Sequence, residues 1–152
     1  MSGRTAIEIR EITPGETALA HDAMRALRPA HEDLAAFVER IDRLQRPEGY
    51  RLVGAFATDG GRAAALAVAG FRTGHNLAWG HFLYVDDLST APEARRRGAA
   101  GALLEWLLAE ARRLGCDELH LDSGTGANRF DAHRLYMNHR LVITSHHFAR
   151  EV

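Results

Sequence analysis

The stretch from Tyr84 to Leu104 holds the residues whose types and spacing could do chemistry. It reads as a strand ending in Asp86, Asp87, Leu88, Ser89 and Thr90, a basic turn, and the start of a helix with an apolar stripe. A junction of this kind aims free backbone N–H groups and the positive end of a helix at one point. Arg95, Arg96 and Arg97 stand beside that point and raise the local positive potential. Gly98, Ala99, Ala100 and Gly101 then lead into the helix. The chemistry this pattern offers is the binding of a phosphate-bearing ligand.

Other reactive side chains group less well. The nine histidines invite a metal. Of these, His120 shares a strand face with Asp122 whereas His146 and His147 do not share one, and no tight ligand cluster emerges, so no metal is expected. His133 and His139 read as helix-surface residues or pocket contacts. Ser123 beside Asp122 lacks the Gly-x-Ser-x-Gly elbow of a hydrolase. Cys116 follows a helix C-terminus, where a thiolate is disfavoured. Trp79 and Trp106 read as packing against a sheet.

The elements that must position the phosphate turn follow from periodicity. Ile7 to Arg10 alternates as a half-buried strand. Thr13, Pro14 and Glu16 form a capping-box start for a helix carrying Leu19, Ala20, Ala23, Met24 and Leu27. A second helix has Leu34, Phe37, Val38, Ile41 and Leu44 at helical spacing. Strands from Tyr50 to Ala57 and Ala63 to Arg72 flank a hairpin turn at Thr58 to Gly61. Thr73 to Asn76 turns the chain into a strand of about Leu77 to Thr90. A long helix from Ala99 buries Ala100, Leu103, Leu104, Leu107, Leu108 and Ala111, and Gly115 closes it. Glu118 to Asp122 is a short strand, Ser123 to Phe130 a polar loop, Ala132 to Asn138 a helix capped by Asp131, and Leu141 to Phe148 a last strand.

The unit from Leu83 to Asp122 is expected to be a right-handed parallel crossover, while the tight turns before it demand antiparallel pairs. The fold class is therefore α/β (α+β), a mixed, mostly antiparallel sheet with helices on both faces. At 152 residues the chain fits one domain, 1–152, with a real core. Its net charge of −1 gives no global attraction to nucleic acid or an anionic membrane, which leaves the arginine triplet a local feature. No apolar stretch reaches membrane-span length, the N-terminus lacks a hydrophobic signal core, and the lone Cys116 allows no internal disulfide. A cytoplasmic location is the expectation.

Two segments resemble the GNAT superfamily of acetyl-CoA-dependent N-acetyltransferases. One is Arg95-Arg96-Arg97-Gly98-Ala99-Ala100, preceded by Leu88-x-Thr90-x-Pro92. The other is Arg129 to Tyr136, with Ala132 and Tyr136 at the family's spacing. The resemblance extends over nearly the whole order of elements and implies a three-layer fold. It implies that backbone N–H groups of Arg96 to Gly101 hold the pyrophosphate of acetyl-CoA, with Gly98 and Ala100 keeping side chains small there. It also implies that Leu88, Ser89 and Thr90 line the pantetheine arm, Leu88 and Thr90 pairing with it by backbone groups, that Arg129 and Ala132 lie beside the cofactor, and that Tyr136 protonates the leaving thiolate.

The segment Tyr84 to Leu88 further resembles the Tyr-x-Glu/Asp-Asp pattern of diamine acetyltransferases, which implies Asp86 as base or ammonium-binding group, with Asp87 second. Side chains alternate along a strand, so both face one cleft only if a bulge intervenes. The resemblance implies a small-molecule primary amine as acceptor, chosen by the helices between Pro14 and Gln45 and the loops at Thr73–Asn76 and Ser123–Phe130. It allows a homodimer through the last strand. A non-catalytic acyl-CoA-binding module and a protein lysine or N-terminal acetyltransferase are the alternatives. Arg140 stands where the family has glycine; either it is strained in a left-handed turn or the loop differs locally, the second being expected.

Overall fold

The computed structural model describes residues 6–60 and 63–152. Five strands make one sheet in the order β1-β2-β3-β4-β5: β1 (Ile7–Ile12), β2 (Arg51–Ala57), β3 (Ala67–Asn76), β4 (Gly80–Thr90) and β5 (Glu118–Leu121). The first three pairs are antiparallel, and the sheet as a whole is mixed. The α-helices are α1 (His21–Leu27), α2 (Leu34–Glu39), α3 (Ala99–Arg113) and α4 (Phe130–Asn138). The chain divides into two compact units, Met1–His120 and Leu121–Val152.

In the first unit, alternation along the strands sorts side chains to two faces. Leu52, Phe56 and Val68 join Ile12, Met24, Phe37 and Ile41 in the cluster beneath α1 and α2. On the opposite face Phe71 meets Trp106 of α3 edge-on at 5.8 Å. Leu103, Leu104 and Leu107 of α3 are fully buried. At about 1.5–3 kcal/mol each, their burial outweighs the roughly 1 kcal/mol that Gly101 costs the helix. Glu110, not Leu108, completes the buried stripe: its carboxylate sits between Arg51 and Arg113, whose hydrogen bonds hold its pKa below the ordinary range.

Several elements differ from expectation. Thr13 to Glu16 closes a turn (Glu16 N–H to Thr13 carbonyl, 3.0 Å) rather than capping a helix, and a 3₁₀ turn, Thr17–Ala20, precedes α1. The second helix is α-helical only through Glu39; Arg40–Gln45 winds as wider π-type turns, and Leu34 and Leu44 are exposed. The Asp33 carboxylate caps α2 by accepting from the Ala36 N–H at 2.7 Å. Thr73 to Asn76 is strand, and the reversal falls at 77–79, where Asn76 Oδ1 accepts from the Trp79 N–H at 2.6 Å. Gly61, the end of the expected hairpin turn before β3, lies outside the described residues.

In the second unit, a 3₁₀ turn (Ala127–Arg129) leads into α4, and the Asp131 side chain does not cap it. Arg140 is left-handed (φ 65°), with its N–H bonded to the Met137 carbonyl and that of Leu141 to the Tyr136 carbonyl. These are the two bonds of a Schellman cap, so the turn keeps the conformation that favours glycine and Arg140 bears the strain. Among the described residues, those from Leu141 to Val152 form neither helix nor strand; Val142, Ile143 and Phe148 are exposed. The expected last strand is absent there because nothing within this unit offers it a ladder.

One close approach governs the first unit. A Cβ placed on Gly70 would lie 1.7 Å from the Tyr50 hydroxyl. Gly70→Ala is expected to cost about 1–3 kcal/mol in urea unfolding, and the cost should shrink when Tyr50 is also changed to Leu.

Candidate functional site

The geometry of the site begins with a break in the β3–β4 ladder. Phe71 pairs with Val85 and Gly70 with Asp87, so Asp86 is an extra residue in β4. A bulge there resets the pleat, and the two adjacent carboxylates line one cavity on the α1–α2 side. The bulge that the doublet required is thus present.

Each carboxylate is held. Asp87 accepts from Arg28 Nε at 2.8 Å and from the Tyr50 hydroxyl at 2.7 Å, the latter passing over Gly70. Asp86 takes a forked grip from Arg72, with Nε at 3.0 Å and Nη2 at 2.9 Å from its two oxygens. Arg28 also donates to the Asp86 carbonyl at 3.1 Å, tying the bulged backbone to the residue after α1. Burial pushes the Asp86 carboxyl above the ordinary aspartate range, against the pull of Arg72. Burial and the Asp87 charge push the Tyr50 phenol well up, so it remains a donor.

The cavity encloses about 350 Å³. Met24, Phe37 and Ile41 give it apolar lining, Tyr50 and Tyr84 aromatic faces, and Arg40 and His31 polar ones. The helical region between Pro14 and Gln45 lines a pocket beside the acids, and Thr73 to Asn76 does not line it. Tyr50, Arg28, Arg72 and Arg40 were not singled out in the sequence, because single aromatic or basic residues on separate elements carry no spacing signal.

Beyond the bulge the strand leads to the turn. Ser89 is buried with its hydroxyl donating to the Ala23 carbonyl at 2.6 Å, so its side chain serves α1 and is not free for a ligand. Leu88 and Thr90 alternate with it on the other face. Asp117 N–H donates to the His81 carbonyl at 2.7 Å, so the four-residue β5 starts near the beginning of the eleven-residue β4 and is too short to follow it to Leu88.

Arg95, Arg96, Arg97 and Gly98 are exposed, with Arg96 (φ 64°) and Gly98 (φ 80°) both left-handed. A Cβ on Gly98 would meet nothing within 4 Å, and no side chain caps α3. The first intrahelical bond is Ala102 N–H to the Gly98 carbonyl (3.0 Å), which leaves the N–H groups of Ala99, Ala100 and Gly101 without a helical acceptor. The start of α3 thus presents free backbone donors, with three exposed arginines just before them in sequence, an arrangement that suits an anionic group.

The second unit holds the remaining candidates. Tyr136 on α4 is buried, which pushes its phenol up while the neighbouring Arg129 guanidinium pulls it down. Arg129 Nε donates to the Ser123 hydroxyl at 3.4 Å, and Ala132 is half-buried one helical turn before Tyr136. The imidazole of His133 is taken up by the Ser123 hydroxyl and Gly124 carbonyl at 3.1 and 2.8 Å. Elsewhere Trp106 packs on the sheet as expected, whereas Trp79 stacks on His120 at 3.6 Å; burial raises the Cys116 thiol. Among the described residues no group of three or more His, Cys, Asp or Glu could hold a metal ion. No helix among them is long and apolar enough to cross a membrane.

Comparison with known proteins adds a family and a fold. The model of the "Acetyltransferase (GNAT) family" matches residues 17–139. A search of curated proteins finds no match to this chain. Among solved structures, a transcriptional regulator from Bacillus halodurans C-125 is similar with TM-score 0.80 at 17% identity, covering 97% of this chain and 100% of its own. An acetyltransferase from Trypanosoma brucei gives TM-score 0.77 at 16% identity, covering 97% and 100%. The aminoglycoside N-acetyltransferase AAC(6')-Iy in complex with CoA gives 0.78 at 17%, covering 96% and 95%. At these identities the structures show a shared fold.

The grip of Arg72 yields a prediction about charge. Arg72→Gln removes the main force opposing burial, so the Asp86 carboxyl should move further above the ordinary range in a carboxyl-carbon NMR titration. A folded-state pKa raised above the unfolded one means that ionisation costs stability. The variant should therefore lose more stability than the parent as pH rises through that window. An unchanged or lower Asp86 value would contradict the assignment.

Proposed function

The chain belongs to the acetyltransferase (GNAT) family, and on that premise we propose that it moves an acetyl group from acetyl-CoA to the primary amine of a small molecule. The observation that carries this reading is the open cradle at the start of α3, reached along the same strand that presents Asp86 and Asp87 to a cavity. When bound, acetyl-CoA supplies an acyl group already activated as a thioester.

The chain's own residues divide the remaining work. The N–H groups of Ala99, Ala100 and Gly101, with Arg95, Arg96 and Arg97, hold the diphosphate. Backbone groups of Leu88 and Thr90, on the part of β4 that β5 is too short to follow, hold the pantetheine arm as an added strand. The amine must lose a proton before it can attack, and Asp86 takes it, directly or through water. Its raised pKa makes it a better acceptor than an ordinary carboxylate. Asp87, with one oxygen on Arg28 and the other on Tyr50, is the fixed partner that keeps the ammonium end in place. Tyr136 Oη, kept protonated by burial, supplies the proton that the departing sulfur needs. Arg129 and Ala132 lie beside the cofactor in this reading.

The test is release of free thiol from acetyl-CoA with a panel of small amines. Turnover with at least one amine is expected, and Tyr136→Phe should lower kcat by roughly 10²–10⁴-fold while coenzyme A still binds. The acid limb of kcat/KM should lie above the usual aspartate range, because the base form of Asp86 is lost as pH falls through its raised pKa. Tight coenzyme A binding with no thiol release, or a Tyr136→Phe variant as fast as the parent, would leave a binding module in place of the enzyme.

A further inference from the structure

The charges around the cavity are unevenly matched, and the mismatch names a class of acceptor. We propose that the acceptor is an amine that also carries an oxyanion, a carboxylate or a phosphonate, and that the Arg40 guanidinium binds this second group. The proposal rests on the transfer reading above and narrows it.

Both carboxylates in the cavity already have cations. Asp87 is 2.8 Å from Arg28 and Asp86 is 2.9 Å from Arg72, which has Glu48 at 3.8 Å as a second, exposed partner. A substrate bearing several positive charges would have to share or displace these guanidiniums, which weakens its attraction to the site. One ammonium fits beside the pair as a hydrogen-bond donor without that exchange. Arg40 is the reverse case. It is exposed at the cavity and, among the described residues, its side chain makes no hydrogen bond and no ion pair; the same holds for the imidazole of His31, also exposed in the lining. A solvated guanidinium at the edge of a cavity, with no carboxylate to displace, can take a planar or tetrahedral oxyanion by a forked grip.

The local backbone explains how Arg40 comes to be there. Arg40 opens the π-type turns, whose wider winding also brings Ile41 and Gln45 to the cavity. Met24, Phe37 and Ile41 in the same lining offer apolar contact to a short carbon chain. A volume of about 350 Å³ is at the small end for ligand pockets, which suits a compact two-headed molecule better than a polypeptide or a large sugar.

The experiment compares matched acceptors: 4-aminobutyrate, 3-aminopropylphosphonate, 4-aminobutyramide and 1,4-diaminobutane. The two oxyanion acceptors should exceed the amide and the diamine about tenfold or more in kcat/KM, mainly through KM, and their ratio tells which oxyanion fits. Arg40→Gln should lower kcat/KM for the better oxyanion about tenfold more than for the amide, and Arg40→Lys should recover part of the loss. A preference for the diamine, or an Arg40→Gln effect equal across all four, overturns the proposal. If no amine is turned over, the transfer reading fails separately, and calorimetric binding of the same four probes to the coenzyme A complex decides. Tighter binding of the oxyanions that is lost in Arg40→Gln sustains the proposal; equal or undetectable binding overturns it.

Discussion

The hydrogen bond from Tyr50 to Asp87, drawn across Gly70, is the constraint on which the site depends. A donor to a charged acceptor contributes about 1.5–3 kcal/mol, and this one is possible only because the intervening residue has no side chain. Its acceptor faces the cavity because Asp87 pairs with Gly70, and the bulge that absorbs Asp86 is what keeps that pairing. Three local choices on three strands therefore enforce one another: an aromatic residue before β2, a glycine in β3 and a bulge in β4. Changing any one leaves a buried polar group without its partner, which explains why the arrangement holds together as a unit.

Around that contact, the protein handles the cost of partly burying two acids by supplying a guanidinium to each. Arg28 follows α1 and Arg72 extends from β3, so the pair is compensated from both the helix layer and the sheet. The compensation is not symmetric. Asp87 is locked by two donors from different elements, whereas Asp86 is held by one forked donor and keeps a raised affinity for protons. Adjacent carboxylates thereby sit in different surroundings, one tied to donors from two elements and one whose burial outweighs its single forked donor.

What could be read from the residues follows from how local each signal is. The turn from Arg95 to Gly101 was legible because glycine, small residues and an apolar helix stripe lie within one short stretch. The bulge was not, since it is a property of how β4 meets β3 and Asp86 carries no glycine to announce it. Thr73 to Asn76 has the composition of a turn yet pairs as strand with residues 80–83, because the ladder partner decides and not the local propensity. Leu141 to Phe148 has apolar residues that resemble a strand, but a strand needs a neighbour and the pattern alone does not supply one. Arg140 shows the opposite error: the missing glycine argued for a different loop, while the two capping hydrogen bonds keep the left-handed turn in spite of the side chain.

The added residue in β4 puts the two halves of that strand out of phase. Leu83 and Val85, which sit inside the core, share a face with Leu88 and Thr90 because the bulge absorbs Asp86, and losing one codon at position 86 would leave a ladder of ordinary pitch with those four residues still on that face. Exchange of Asp86 for another residue and its deletion are thus both local events, whereas a residue gained or lost elsewhere in the strand re-indexes half of it. The second carboxylate is therefore separable from the sheet that carries it, because β4 can lose Asp86 without losing a single pairing to β3.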